Sequence, residues 1–475
     1  MTIKKVLMIA WIFPPLGGSG VQRTLKFSKY LPGLGWKPYI VCSDDPQVFG
    51  DGLDASLLTE IPEEAVIWRK PFISPLGFRR KVQKTLRIAS KNEFLQPRWE
   101  ENTTSTHSNM TNKTEIVKNG SQTADPGLPQ KHFLKRIFAV ISIPLAPFEF
   151  PPVDAAVYWS LSILPGCLKI IRSEKINLIY STSFPYSDHL AGYLLKRLTG
   201  LPWVADFRDP WTENASARNQ GWRFHIDQWV EKKVLLSADR ILCVTPKYTQ
   251  GLRRLAPSRP PQTFLTIENG FDPMDFPAKP AKSQKSSRPL VLAHVGYLYD
   301  GTAISFLNAL HLLGESAREL AVRFIGGLAS REKTWLESHS VSAPIEILPR
   351  QTHREAIHAM QQADLLLLFI GAGPDWIGNY PGKIFEYMAS GTPILLIGPQ
   401  GDSARLLERS GTGKWLPAEN SASIASFLKL MILNPEETLN SFFHPMLDVV
   451  AEYTRQNLTK RLADLFGELV ENSSR

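Results

Sequence analysis

The sequence predicts an α/β protein whose parallel sheets are doubly wound, with helices on both faces, and three observations carry that prediction. Continuous apolar runs recur along the 475 residues between turn-forming residues, which suits strands buried on both faces. Stretches with helical spacing of apolar residues alternate with those runs, as βα units require. A Pro-, Lys- and Ser-rich interruption, PAKPAKSQKSSRP, then divides the runs into two series. The natural reading is two Rossmann-like domains joined by a linker near residues 277–288; one large sheet carrying a surface loop is the alternative.

In chain order, KKVLMIAW is the first strand. Its lysines and apolar residues could also open a signal peptide, but Pro14 and Pro15 close the run and no small-residue cleavage site follows. A helical pattern through Val21, Leu25, Phe27 and Leu31 comes next. KPYIVCS, INLIYSTS, PWVADF, DRILCVT and TFLTIEN complete the first series, which fits a domain over residues 1–276. Inside it, residues 98–130 are polar and cannot offset the entropy of ordering, so a mobile insertion is expected there. Basic amphipathic pieces flank the insertion, FRRKVQKTLRIASK before it and KHFLKRIFAVISIPLAPFEF after it. Such pieces suit an anionic membrane interface or ordinary packing on the domain. LVLAHVG, VRFIGG, IEILPR, ADLLLLFI and TPILLIG form the second series within residues 289–440, and 441–475 reads as helices that cross back to the first domain.

Composition narrows the function classes. With 43% hydrophobic residues the chain can bury a large core, which excludes a disordered chain or a disulfide scaffold. Cys42, Cys167 and Cys243 lie in apolar runs without metal-ligand spacing, so a reducing compartment is expected and a zinc framework is not. No segment holds the ~18 uninterrupted apolar residues of a membrane span, and the expected location is cytoplasmic. The net charge of +9 suits anionic lipid, a phosphorylated small ligand or nucleic acid. Scattered cations without a nucleic-acid-binding motif argue against the last.

Ligands of open α/β sheets bind beyond the carboxyl ends of the strands, and three clusters fall there. The first is Phe13-Pro14-Pro15-Leu16-Gly17-Gly18-Ser19-Gly20, a glycine turn leading into a helix, where free amides and the helix dipole can meet an anion. It is neither a dinucleotide fingerprint nor a P-loop, so a tight turn without ligand stays open. The second is Trp203 to Trp211, in which Asp206 and Asp209 flank Arg208; such carboxylates either line a cleft or satisfy one another in an ion-pair network. His189, upstream at another helix start, could lie over a substrate or simply cap and pack. The third is Asn379 to Ile394: Gly382 and Lys383 precede Glu386 by about one turn, so loop amides and the ammonium can meet phosphates while the carboxylate accepts from a ribose diol.

At these residues the chain resembles the glycosyltransferases of family 4, whose architecture, GT-B, is two Rossmann-like domains facing a cleft. The matching segments are FPPLGGSGVQR, PWVADFRDPW, ADRILCVT with IENGFD, LAHVGYLY and PGKIFEYMASGTPILL. The resemblance implies a nucleotide-sugar co-substrate held mostly by the C-terminal domain, transfer with retention, no essential metal and no cofactor. It implies that Glu386 takes the ribose hydroxyls, that Gly17, Gly18, Gly382 and Lys383 meet the diphosphate with Gly296 beside them, and that His189, Asp206 and Asp209 face the acceptor or the transferred sugar. Two positions depart from the family pattern. Gly378 stands where many members carry a second glutamate, with Asp375 a loose substitute, and Tyr297 follows Gly296 where many carry an arginine. Lys383, Arg350 and Arg23 are the candidate cations in its place, Lys383 first.

The expected function is transfer of a hexose-type sugar from a nucleoside diphosphate sugar to a saccharide or lipid-linked acceptor in surface polysaccharide or lipopolysaccharide assembly, peripheral at the inner face of the plasma membrane. The alternatives are a nucleotide-sugar epimerase on the same scaffold and a non-catalytic membrane-peripheral homologue.

Overall fold

The computed structural model describes residues 3–44, 52–71, 153–214, 221–277 and 289–473. The polar stretch 98–130, its basic flanks and most of the Pro/Lys/Ser linker lie outside the described residues. Two sheets are present. The first holds β1 (Lys4–Ile9), β2 (Trp36–Ser43), β3 (Val66–Lys70), β4 (Leu178–Thr182), β5 (Trp203–Phe207), β6 (Arg240–Cys243) and β7 (Phe264–Thr266), in the order β3-β2-β1-β4-β5-β6-β7. The second holds β8 (Leu290–Val295), β9 (Leu320–Ile325), β10 (Ile345–Leu348), β11 (Leu365–Phe369), β12 (Ile394–Gly398) and β13 (Gly413–Pro417), in the order β10-β9-β8-β11-β12-β13. Every strand pair in both sheets is parallel.

The period-2 alternation of a strand explains why each sheet is covered twice. Leu7 and Ile9 face one buried cluster, while Val6 and Met8 face another. In β11, Leu365, Leu367 and Phe369 point to one side and Leu366 and Leu368 to the other. Strand order reverses between β1 and β4 in the first sheet and between β8 and β11 in the second, so each has a switch point where a crevice opens at the carboxyl ends.

The last helix, Arg455–Ser473, returns to the first sheet. Leu458, Leu462, Phe466 and Leu469 recur at helical spacing and join the cluster of Val6 and Met8. Phe466 lies edge-on to Trp36 at 5.3 Å and to Tyr180 at 6.0 Å.

Candidate active site

Of the residues expected to hold the donor, Gly296, Gly382, Lys383 and Glu386 gather at the switch point of the second sheet. Gly296 ends β8 with φ +107, and a Cβ there would lie 3.3 Å from the Lys383 ammonium, so glycine serves both the backbone turn and the close approach of that cation. The Gly296 amide itself donates to Ile325 O at 2.7 Å and is not free for a phosphate. Gly382 precedes the helix Lys383–Ala389. Lys383 Nζ donates to Tyr297 O at 2.8 Å and stands 3.1 Å from His294 Nε2. His294 Nδ1 lies 2.9 Å from Leu367 O; that carbonyl can only accept, which assigns the ring proton to Nδ1 and leaves Nε2 to accept from Lys383. Burial, and then the Lys383 charge, pushes His294 down to about 3, so the ring is neutral. Burial pushes Lys383 down to about 7, with the charge of Glu386 opposing. Glu386, one turn along, accepts from His353 Nε2 at 3.1 Å, and this bond raises the His353 pKa.

Gly378 has a steric cause. A Cβ there would come within 2.9 Å of the Tyr248 ring and 3.0 Å of Lys247 Cβ, both on the helix Pro246–Leu255 of the first half. A glutamate cannot occupy this position while the two halves make that contact. Lys247 N also donates to Asp402 at 3.0 Å, across the same seam.

The switch point of the first sheet holds the remaining candidates in unequal positions. Asp209 is exposed, and its negative charge, after burial, raises the phenol pKa of Tyr248 in the first half and of Tyr299 in the second. Asp206 departs from the cleft-lining placement considered above. It is fully buried and paired in two-pronged fashion with Arg23, at 2.7 and 2.9 Å, with Tyr180 donating as well. A carboxylate at the end of a central strand, without water, keeps its charge only against such a partner. This pair holds the helix Ser19–Tyr30, which the glycine turn opens, and it removes Arg23 from the candidate phosphate ligands.

His189 is likewise fully buried, packed on Phe207 at 4.4 Å, rather than open over a substrate. Trp203 Nε1 donates to Ser181 Oγ at 2.9 Å, and Ser181 Oγ lies 2.9 Å from His189 Nδ1. Ser181 Oγ thus bridges Trp203 and the ring, while His189 Nε2 is buried without a partner among the described residues. Burial drives the His189 pKa down to about 3.

Gly18 caps the helix Ser19–Tyr30 with φ 93, while the Gly17 amide donates to Gly52 O at 3.1 Å and is spent on the turn. Arg208, whose guanidinium donates to Gly20 O, lies over this turn. The sequence reading did not count it among the cations, although its place between Asp206 and Asp209 was a signal. His294 and His353 were also missed, since lone histidines in a strand and at a helix start carry no motif. Among the described residues, the one carboxylate group close enough to share a metal ion is Glu60, Asp272 and Asp275, and Lys26 Nζ already lies among them, 2.9 Å from Asp272.

Known proteins share part of this sequence and the fold. Residues 123–270 match the model of the glycosyl transferase 4-like domain. Alpha-maltose-1-phosphate synthase of Mycolicibacterium smegmatis is 23% identical over 157 residues, 32% of this chain, and the match spans 38% of that relative's length. The fold is similar to sucrose-phosphate synthase of Thermosynechococcus elongatus, with TM-score 0.60 at 12% identity over 99% of this chain and 100% of that one. It is similar also to a glycosyltransferase of Rickettsia africae, with TM-score 0.58 at 13% identity over 99% of both chains. Anabaena HepE, solved with UDP-glucose, gives TM-score 0.58 at 12% identity over 98% and 99%. Residues 123–270 thus match a glycosyl transferase 4-like domain, and two parallel sheets, each with its own switch point, give the chain the fold of the GT-B glycosyltransferases.

Proposed function

We propose that the protein transfers a hexose-type sugar, with retention and without a metal, from a nucleoside diphosphate sugar to a saccharide or lipid-linked acceptor in surface polysaccharide or lipopolysaccharide assembly. The observation that carries this reading is the grouping of Lys383 and Glu386 within one turn of helix, the ammonium beside Gly296 and the carboxylate beside His353. A diphosphate against Lys383 places a ribose within reach of Glu386, and a cation fixed in advance stabilises charge on the leaving diphosphate. Of the three residues expected to face the reacting sugar, Asp209 is the one on the cleft surface. His189 and Asp206 act from beneath it, as positioning residues.

Titration calorimetry with nucleoside diphosphates tests the reading. Losing a charged hydrogen-bond partner costs about 1.5 to 3 kcal/mol, so Glu386→Ala should bind roughly ten- to a hundredfold more weakly. Unchanged affinity in that variant would remove the nucleotide from this site.

A peripheral place on anionic membrane belongs to the same proposal. It is supported by the helix Trp222–Ser237, whose Trp222 and Trp229 are 64% and 63% exposed, with Lys233 Nζ 5.5 Å over the Trp229 ring. Indole rings beside lysines suit the headgroup boundary. Binding to anionic vesicles should fall at high salt and in Trp229→Ser; equal partitioning onto neutral vesicles would exclude it.

A further inference from the structure

Beside the donor site, a cavity of about 500 Å³ opens at the carboxyl ends of β8, β11 and β13. None of Gly296, Gly382, Lys383 and Glu386 lines it. Its volume lies within the ~300–1,000 Å³ of small-molecule sites. One wall is aromatic: Tyr299, 52% exposed, meets the Trp376 ring edge-on at 5.4 Å, and the more exposed Tyr297 stands 5.1 Å from Tyr299. Large aromatic rings left open at a cavity mouth mark a surface waiting for an apolar face.

The other walls are polar. Asp300 and Arg331 form an exposed pair at 3.4 Å, and Glu419 lies on the far side. The Asn308 carbonyl is taken by Trp335 Nε1 at 2.9 Å, which fixes the amide and leaves its NH₂ as a donor. The turn Pro374–Trp376 that carries one wall of the cavity meets the first half, where Lys247 Nζ donates to Pro374 O at 3.5 Å, so the cavity borders the seam between the halves.

We propose that this cavity is a saccharide subsite that holds the acceptor glycan beyond the reacting residue. A pyranose ring offers an apolar C–H face to Tyr299 and Trp376 and equatorial hydroxyls to Asp300, Arg331, Asn308 and Glu419. A lipid tail would leave those polar groups without partners, and a nucleotide would bring its phosphates against the two carboxylates. The proposal rests on the transferase reading above, and the experiment separates the two.

The full chain is titrated with a mixture of linear gluco-, galacto- and manno-trisaccharides of both anomeric linkages, read by saturation-transfer NMR and tryptophan fluorescence. Calorimetry with nucleoside diphosphates runs in parallel. Trisaccharide binding is expected in the parent protein, weakened about tenfold in Tyr299→Ala, retained in Tyr299→Phe, and with its fluorescence change lost in Trp376→Phe. Nucleoside diphosphate affinity should be unchanged in all three variants, which also shows that they are folded. Nucleotide binding without any trisaccharide binding overturns the subsite alone. Trisaccharide binding indifferent to Tyr299→Ala and Trp376→Phe overturns it too. Trisaccharide binding that follows the variants, in a protein that binds no nucleotide, supports the saccharide site and overturns the transferase reading.

Discussion

Lys383 is the residue on which the proposed donor site turns. Neutral, its two N–H bonds are both spent, one on Tyr297 O and one on His294 Nε2; protonated, it has a third to offer a phosphate. Diphosphate binding therefore takes up a proton whenever the free amine, at about 7, starts deprotonated. The sign follows: affinity is full below pH 7 and falls as pH rises above it, by up to about tenfold per unit until the pKa of the complex is reached. A nucleotide sugar, whose diphosphate does not titrate in this range, is the ligand with which to measure it. Lys383→Met should abolish the slope. At Asp206, by contrast, Asp206→Asn should cost about 3–5 kcal/mol of stability in chemical denaturation, because it leaves Arg23 buried with half a partner. The glycine, lysine and glutamate of the third cluster were legible in the sequence because a packing helix has no use for them in that order. The division of labour between Asp206 and Asp209 was not, since only the fold shows that one carboxylate turns inward to Arg23 and the other stays in solvent.

Among the elements, most strands read from the sequence are central ones with apolar residues on both faces, and two, β7 and β10, are edge strands. The structure adds β3 and β13, VIWRK and GKWLP, which lie at sheet edges. Basic residues, Arg69 and Lys70 in β3 and Lys414 in β13, leave these two without a continuous apolar run, and most of their residues are half-buried. The helix Arg455–Ser473 owes its place to one face. Phe466 is fully buried between Trp36 and Tyr180, and Phe466→Ala should cost about 3–5 kcal/mol, measured as a lower denaturation midpoint. That helix was legible as amphipathic, and its destination was only an expectation, because spacing specifies a buried face without naming the surface that covers it.

Across the whole molecule, Gly378 records how closely the two halves meet. Restoring a glutamate by Gly378→Glu should lower transfer rather than raise it, since the new side chain must displace Lys247 and Tyr248. Small-angle scattering should show a larger radius of gyration in the same variant, and an unchanged radius with higher turnover would contradict the steric account. The returning helix has a different consequence, for how the protein is made. Val6 and Met8 are synthesised long before Leu458, Leu462 and Phe466, which belong to their covering layer, so this layer cannot close until the helix Arg455–Ser473 has been made. The first sheet must wait, partly uncovered, through the synthesis of the second, which makes nascent chains of this protein natural clients for chaperones and makes premature termination before residue 455 a route to aggregation.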